Sequence, residues 1–286
     1  MDREQKDMQF LGLFGIYLES YKIIFNSRKI FSKISLAFIL PLSLIFLTNI
    51  AVSDSLSSKG ATFWLVEFVY LTFFLAFSVL STFAVIHTVD SVYTGDDVTF
   101  GKIMSVIPQV WKRLMLTFLC ACLAIFLCNV VLVVPIILWI VTNKHVNIAG
   151  LVFFLAIAIL NIVGVVYMTV VWWLAGVVSV LEDIKGMKAM TKSSNLIQGK
   201  MWIAIVILLK QEVTIFGIQI LFESQVVHTW SFGFAGKLAF GFLFLFMLLS
   251  VFLFALVIET MIYFVCISCH HENINKLSLS DHLDEV

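Results

Sequence analysis

Lys210, Glu212 and Glu259 are charged residues set in otherwise apolar sequence, "IAIVILLKQEVTIFGIQI" and "VFLFALVIETMIYFV". A charge at the centre of a bilayer costs about 2.5–3.5 kcal/mol on insertion scales, so each such residue needs a partner, a route to water or a function. Two kinds of chemistry suit the three together: a structural ion pair, or a relay for protons or ions. By helical rise from the basic ends of their runs, Lys210 lies about 14 Å deep and Glu259 about 12 Å deep, which predicts a Lys210–Glu259 pair across neighbouring helices. Glu212 has no evident partner in the pattern. Glu67 lies about 6 Å from the far end of its run and reaches the interface.

The remaining reactive residue types form no catalytic pattern. "CISCHH", Cys266 to His271, pairs two thiols with two histidines, but a tetrahedral metal site would need a second ligand pair elsewhere, and adjacent histidines diverge. Thiols at the cytoplasmic end of a membrane helix fit reversible S-acylation, which makes Cys266 and Cys269 the candidates. "LEDIKGMKAMTKSSNLIQGK", Leu181 to Lys200, is rich in lysine but lacks the Gly-rich loop between strand and helix that cradles phosphate. No Gly-x-Ser-x-Gly elbow, His-Glu-x-x-His pair or Gly-x-Gly-x-x-Gly loop occurs. The expectation is therefore a non-enzymatic protein with no catalytic residue, no metal and no cofactor.

Composition defines the framework that holds these residues. The 286 residues are 61% hydrophobic and 13% charged, with mean hydropathy +1.06. A soluble domain is about half apolar and a quarter charged, so this is the composition of an integral membrane protein. No charge tract suited to nucleic acid is present. A bilayer core about 30 Å thick needs about 20 apolar residues in a helix. Six runs qualify: 34–53, 63–89, 114–141, 148–180, 201–222 and 238–267. Trp172 and Trp173, toward the end of the fourth, form an expected aromatic belt. Pro41 and Pro135 predict kinks in the first and third. Asn129 and Asn161 are expected to hydrogen bond between helices.

Basic residues settle the sidedness. Arg3, Lys6, Lys22, Arg28, Lys29 and Lys33 precede the first run, Lys102, Lys112 and Arg113 follow the second, Lys185, Lys188, Lys192 and Lys200 follow the fourth, and Lys276 follows the sixth. The alternate connections hold Lys59, Lys144 and Lys237. Positive residues are retained in the cytoplasm, so both termini are expected there. The five cysteines, in or beside apolar runs, do not read as a disulfide framework, and the polar start of the chain has no signal-peptide pattern.

The basic segments carry helical periodicity. Between Phe14 and Lys33, Glu19, Lys22, Asn26, Lys29 and Lys33 share one face and Phe14, Tyr17, Tyr21, Ile24 and Phe25 the other. Lys102, Ser105, Gln109, Lys112 and Arg113 oppose Phe100, Ile103, Met104, Ile107, Val110 and Trp111, with Pro108 expected to bend the helix. Lys185, Lys188 and Lys192 oppose Met187, Met190 and Ile197. Such helices lie in the headgroup layer, so Lys29, Lys33, Lys112, Arg113, Lys188, Lys192 and Lys200 are candidate contacts for anionic lipid headgroups. "NSRK", "VWKR" and "IQGK" begin at residues 26, 110 and 197, spacings of 84 and 87 residues. The predicted fold is all-α and polytopic: six transmembrane helices and three cytoplasmic amphipathic interfacial helices in a threefold internal repeat, with units at about 14–90, 99–181 and 183–267. Polar tails occupy 1–13 and 268–286.

At "FGIYLESYKIIFNSRKIF", "SVYTGDDVTFGKIMSVIPQVWKRLM", "VVSVLEDIKGMKAMTKSSNLIQGKMW" and "YFVCISCHHENINK" the chain resembles an uncharacterised family of plant multi-pass membrane proteins, over nearly its whole length. More distantly, the segment from Val180 to Lys200 resembles the elbow before the fifth span in six-span domains such as the membrane portion of glycerophosphodiester phosphodiesterases. Their chemistry resides in a separate soluble barrel, for which this chain is too short, so no catalytic residue is carried over. Composition and resemblance together lead to an expected role in organising lipid or partner proteins at a membrane. Transport through Lys210, Glu212 and Glu259 is the alternative, followed by a lipid-modifying enzyme.

Overall fold

The computed structural model describes residues 12–56, 60–95, 100–142, 148–182, 184–228 and 233–269, and every regular element among them is helical. A chain this apolar has no water available to its backbone in lipid, and a helix satisfies each N–H and C=O internally. The helices are α1 (Leu13–Asn26), α2 (Arg28–Ile34), α3 (Leu40–Leu56), α4 (Ala61–Thr94), α5 (Phe100–Thr142), α6 (Ile148–Leu181), α7 (Met187–Leu196), α8 (Met201–Phe222) and α9 (Phe234–Cys269). Five stretches are long and apolar enough to cross a membrane: Arg28–Ser53, Thr62–Thr94, Val152–Leu181, Met201–Val227 and Ala235–Cys269. Helix α5 adds the apolar stretch Leu114–Ala124.

The three basic segments join the helices after them in three different ways. The first is broken at Ser27, and a π-helical turn over Ser35–Ile39 then links α2 to α3. That turn lies directly before Pro41, whose missing N–H and ring crowding disturb the preceding helical turn. The second segment runs straight into the apolar helix after it. Helix α5 is unbroken for 43 residues through Pro108 and Pro135, so the separate elbow helix expected before residue 114 is the first third of one long helix. The third, α7, is set off by Gly186 and by the turn at Ile197–Lys200, where Gly199 has φ +94°. Beyond α8 a second π-helical turn spans Glu223–Val227.

Packing is densest toward one end of the bundle. The main buried cluster unites Ile16 and Ile23 of α1, Phe31 of α2, Phe83 to Val89 of α4, Ile103 of α5, Val170 to Val178 of α6, Ala189 and Met190 of α7, Ile207 of α8, and Val257 to Ile267 of α9. The last turns of α9, Thr260 to Ser268, are buried on every side. A smaller cluster at the opposite end joins Leu47, Ile218, Phe222, Phe244 and Leu248. Along α5 and α6 away from the main cluster, large apolar side chains such as Phe126, Ile137, Leu155 and Ile162 are exposed, as lipid-facing positions are.

The terminal segments expected to be polar tails lie outside the described residues, except for Gly12, Leu13, Ser268 and Cys269.

Candidate intramembrane chamber and the elbow behind it

Helices α3, α4, α5, α6, α8 and α9 surround a cavity of about 390 Å³. Its wall is largely aromatic and aliphatic, with Phe46, Phe74, Phe118, Trp172, Trp173 and Phe252. Aromatic edges brace it: Phe118 meets Trp172 at 4.9 Å between centroids, and Phe46 meets Phe252 at 6.0 Å, both edge-on. Trp172 and Trp173, expected in an aromatic belt at the interface, are instead half-buried in this wall.

The polar groups of the chamber are Ser78, Thr82, Thr117, Thr169, Gln211, Glu212 and Glu259. The Thr169 hydroxyl donates to the carbonyl of Val165 at 2.8 Å. Thr117 pairs with Ser179 at 3.0 Å. The three acceptors Gln211, Glu212 and Glu259 differ in kind. Gln211 is 8% exposed, and its Oε1 is buried with no hydrogen-bond partner among the described residues. Among the described residues, neither Glu212 nor Glu259 has an ion-pair or hydrogen-bond partner. Glu212 is exposed at the chamber edge and Glu259 is half-buried. Sequence reasoning missed Gln211, because a glutamine between two charges carries no signal until the helix is oriented.

Lys210 is not paired with Glu259. Its Nζ sits 4.2 Å from the centroid of the Tyr17 ring on α1, in a separate crevice of about 190 Å³ between α8 and α9. Burial pushes the Tyr17 phenol above its ordinary pKa near 10, so the ring meets the ammonium as a neutral π face. The two expected partners share a depth but not a direction. With steps of about 100° per residue, Lys210 lines this crevice, Glu212 lines the chamber, and Gln211 between them lines both.

Behind the chamber lies the segment Leu181 to Lys200, built into the protein. Gly186 N–H donates to Thr117 Oγ1 at 3.0 Å, so one wall residue of the chamber also anchors the elbow. Ser193 Oγ donates to the Val171 carbonyl at 2.7 Å, and Ser194 and Tyr167 share a 2.7 Å hydrogen bond. Glu182, with its side chain 3% exposed, accepts from Tyr263 Oη at 2.8 Å and pairs with Lys192 Nζ at 2.6 Å. The Lys192 ammonium, expected to reach lipid, thus points inward to this carboxylate. Lys185 and Lys188 remain exposed, as do Lys29, Lys33 and Lys112, while Lys200 is half-buried. The Arg113 side chain lies outside the described residues.

Cys266, one of the two thiols expected as S-acylation candidates, is fully buried near the end of α9. Cys269, at the last position of α9, is half-buried. No group of three or more His, Cys, Asp or Glu side chains suited to a metal occurs among the described residues.

Membrane-length apolar helices around a partly polar interior define a helical integral membrane protein. The family described as Domain of unknown function (DUF8558) matches residues 1–60 and 52–286, and the chain belongs to it. The two matched pieces overlap over 52–60, from the last turn of α3 to the residue before α4. Comparison with curated proteins and with solved structures finds no match.

Proposed function

We propose that this is a six-span, non-enzymatic membrane carrier that takes a small solute into the chamber bounded by Gln211, Glu212 and Glu259. The observation that carries the proposal is the coexistence, inside a lipid-embedded bundle, of a ligand-sized cavity and three acceptors with no partner among the described residues. A volume of about 390 Å³ falls within the roughly 300–1,000 Å³ typical of small-molecule sites. Polar groups left without partners in a membrane interior mark substrate or ion pathways. The first expectation, a lipid-organising scaffold, has less in its favour: Lys192 is taken up internally and the third elbow is packed into the core.

Six crossings rather than five are supported by the placement of α5. The ends of α4 and α6 and the start of α5 belong to the same buried cluster, so α5 has to travel to the opposite end for α6 to return. Its 43 residues extend about 64 Å, enough for an interfacial portion and a crossing. Cytoplasmic termini and anionic-lipid contact by the elbows belong to the same proposal. On α1, Phe14 is 87% exposed with Tyr21 and Phe25 beside it, Ile16 and Ile23 face the protein, and Lys22 pairs with Glu19 at 3.1 Å. These three faces suit a helix lying at the headgroup layer. The order of basic segment followed by two long helices, occurring three times, supports an internal repeat.

Gly176 supplies the test. It lines the chamber, and a Cβ built there meets nothing within 4 Å, so Gly176→Leu places a side chain in the cavity without backbone strain. In proteoliposomes screened with a panel of small metabolites, ions and protons, the native protein should give saturable uptake of at least one solute. Gly176→Leu should lower that uptake at least tenfold while remaining monodisperse. Absence of uptake for the whole panel, or equal uptake by Gly176→Leu, refutes the carrier.

A further inference from the structure

We infer that the solute held in the chamber is an organic ammonium ion, a protonated primary or secondary amine carrying an aromatic or aliphatic body. The inference rests on the chamber being a binding site and adds the class of ligand. The polar lining supplies acceptors in excess. Glu212, Glu259 and Gln211 all line this cavity, and the buried Oε1 of Gln211, which lies between the chamber and the adjoining Lys210 crevice, has no hydrogen-bond partner among the described residues. The cation nearest in sequence, Lys210, is turned into another crevice and held by Tyr17. An ammonium ion brings hydrogen-bond donors and positive charge to these acceptors, which a carboxylate or phosphate does not.

The rest of the wall separates an organic cation from a bare one. A hard metal ion takes six or more oxygen ligands at about 2.0–2.6 Å, and most of this lining is carbon. Trp172, Trp173 and Phe118 offer ring faces and edges, which bind alkylammonium and aromatic groups by cation–π and apolar contact. The ligand's body would pack against that wall while its ammonium donates to the acceptors.

Three probes of nearly equal size and shape separate the charge classes: phenethylammonium, 2-phenylethanol and phenylacetate. Radiolabelled phenethylammonium is titrated onto the full chain in lipid nanodiscs, with empty nanodiscs correcting for partitioning, and the other two serve as competitors. Saturable phenethylammonium binding, at least tenfold weaker competition by the alcohol and none by the carboxylate, is the expected result. Glu259→Gln should weaken binding at least tenfold at unchanged stoichiometry and monodispersity. Glu212→Gln, at the exposed edge, should weaken it less, and it tests the same acceptor role should the first variant misfold. Equal or better competition by 2-phenylethanol or phenylacetate, with Gly176→Leu abolishing it, overturns the ammonium assignment and leaves the chamber as a site for another class. Absence of binding by all three overturns the ammonium assignment; whether the carrier survives is then decided by the uptake panel.

Discussion

Glu182 shows at the level of single residues why the segment Leu181 to Lys200 is not a loose lipid-facing connection. Its carboxylate is withdrawn from solvent and held from two sides, Oε1 by a hydrogen bond from the Tyr263 hydroxyl and Oε2 by the ion pair with the Lys192 ammonium. Removing one partner of a buried pair leaves an uncompensated charge, which costs more than removing both. Lys192 is 33% exposed, so the full buried-pair cost is reduced by water. We expect Lys192→Met to destabilise the protein by about 1–3 kcal/mol, and the double variant Glu182→Gln/Lys192→Met to recover part of that loss because the introduced amide keeps the bond to Tyr263 without a charge. Thermal unfolding in detergent of both singles and the double measures the coupling, and a double variant as unstable as the two losses added would mean the pair contributes nothing. Lys188→Met, at an exposed position, should be nearly neutral. The same scale explains the missed Lys210–Glu259 pair: depth is countable along a sequence, whereas azimuth depends on which side of α8 meets α9. Charge alone singles out Glu212 and Glu259 in the sequence, but Gln211, one residue away, is distinguished only by the burial of its amide in the folded bundle.

Helices obey sequence patterns in proportion to how much of their surface lipid or water decides. The apolar runs are readable to within a few residues for α8 and α9, because a bilayer imposes both length and composition. The junctions are less readable. The separate elbow helix expected around Pro108 is instead continuous with the rest of α5, while Pro41 is accommodated by a π-helical turn that no periodicity announces. On α1 the face that the pattern marks as apolar holds Phe14, Tyr21 and Phe25, which stay exposed, and the protein-facing stripe runs through Ile16, Ser20 and Ile23. Where an element is held by its backbone the consequence is testable. Gly186, before α7, has φ +62° and ψ −134°, a conformation open essentially to glycine alone, and an added Cβ would also touch Cys120 Sγ at 3.4 Å. Gly186→Ala should therefore lower stability by about 1–3 kcal/mol and loosen α7 from Thr117. Gly101→Ala, in the helical first turn of α5 with open space around it, should be neutral or stabilising by about 0.5–1 kcal/mol. Melting temperatures of the two variants side by side decide the matter, and an equal response would remove the strain argument.

The bundle taken entire is tight at the end that gathers the basic segments and open toward the other, where α5 and α6 present apolar side chains outward. An all-helical membrane protein is legible from hydropathy, since no other arrangement buries so apolar a backbone in lipid. The chamber is not, because it depends on which six helices meet and on small residues such as Gly176 leaving space among large ones. Parity of the crossings most affects function, for it determines whether the elbow behind Thr117 and the basic start of α5 face the same compartment. With six crossings, Ser105 and Lys188, both exposed, share the cytoplasmic side and Lys237 lies opposite. With five, α5 would return on itself and invert everything after it, placing Ser105 and Lys188 on opposite sides. Single cysteines at 105, 188 and 237 in a cysteine-free background, exposed to an impermeant maleimide outside intact cells, distinguish the two. We expect modification at 237 alone, with 105 and 188 reacting only after permeabilisation. Labelling of 105 or 188 from outside would break the shared cytoplasmic face on which the carrier, its elbow and its positive-inside orientation depend.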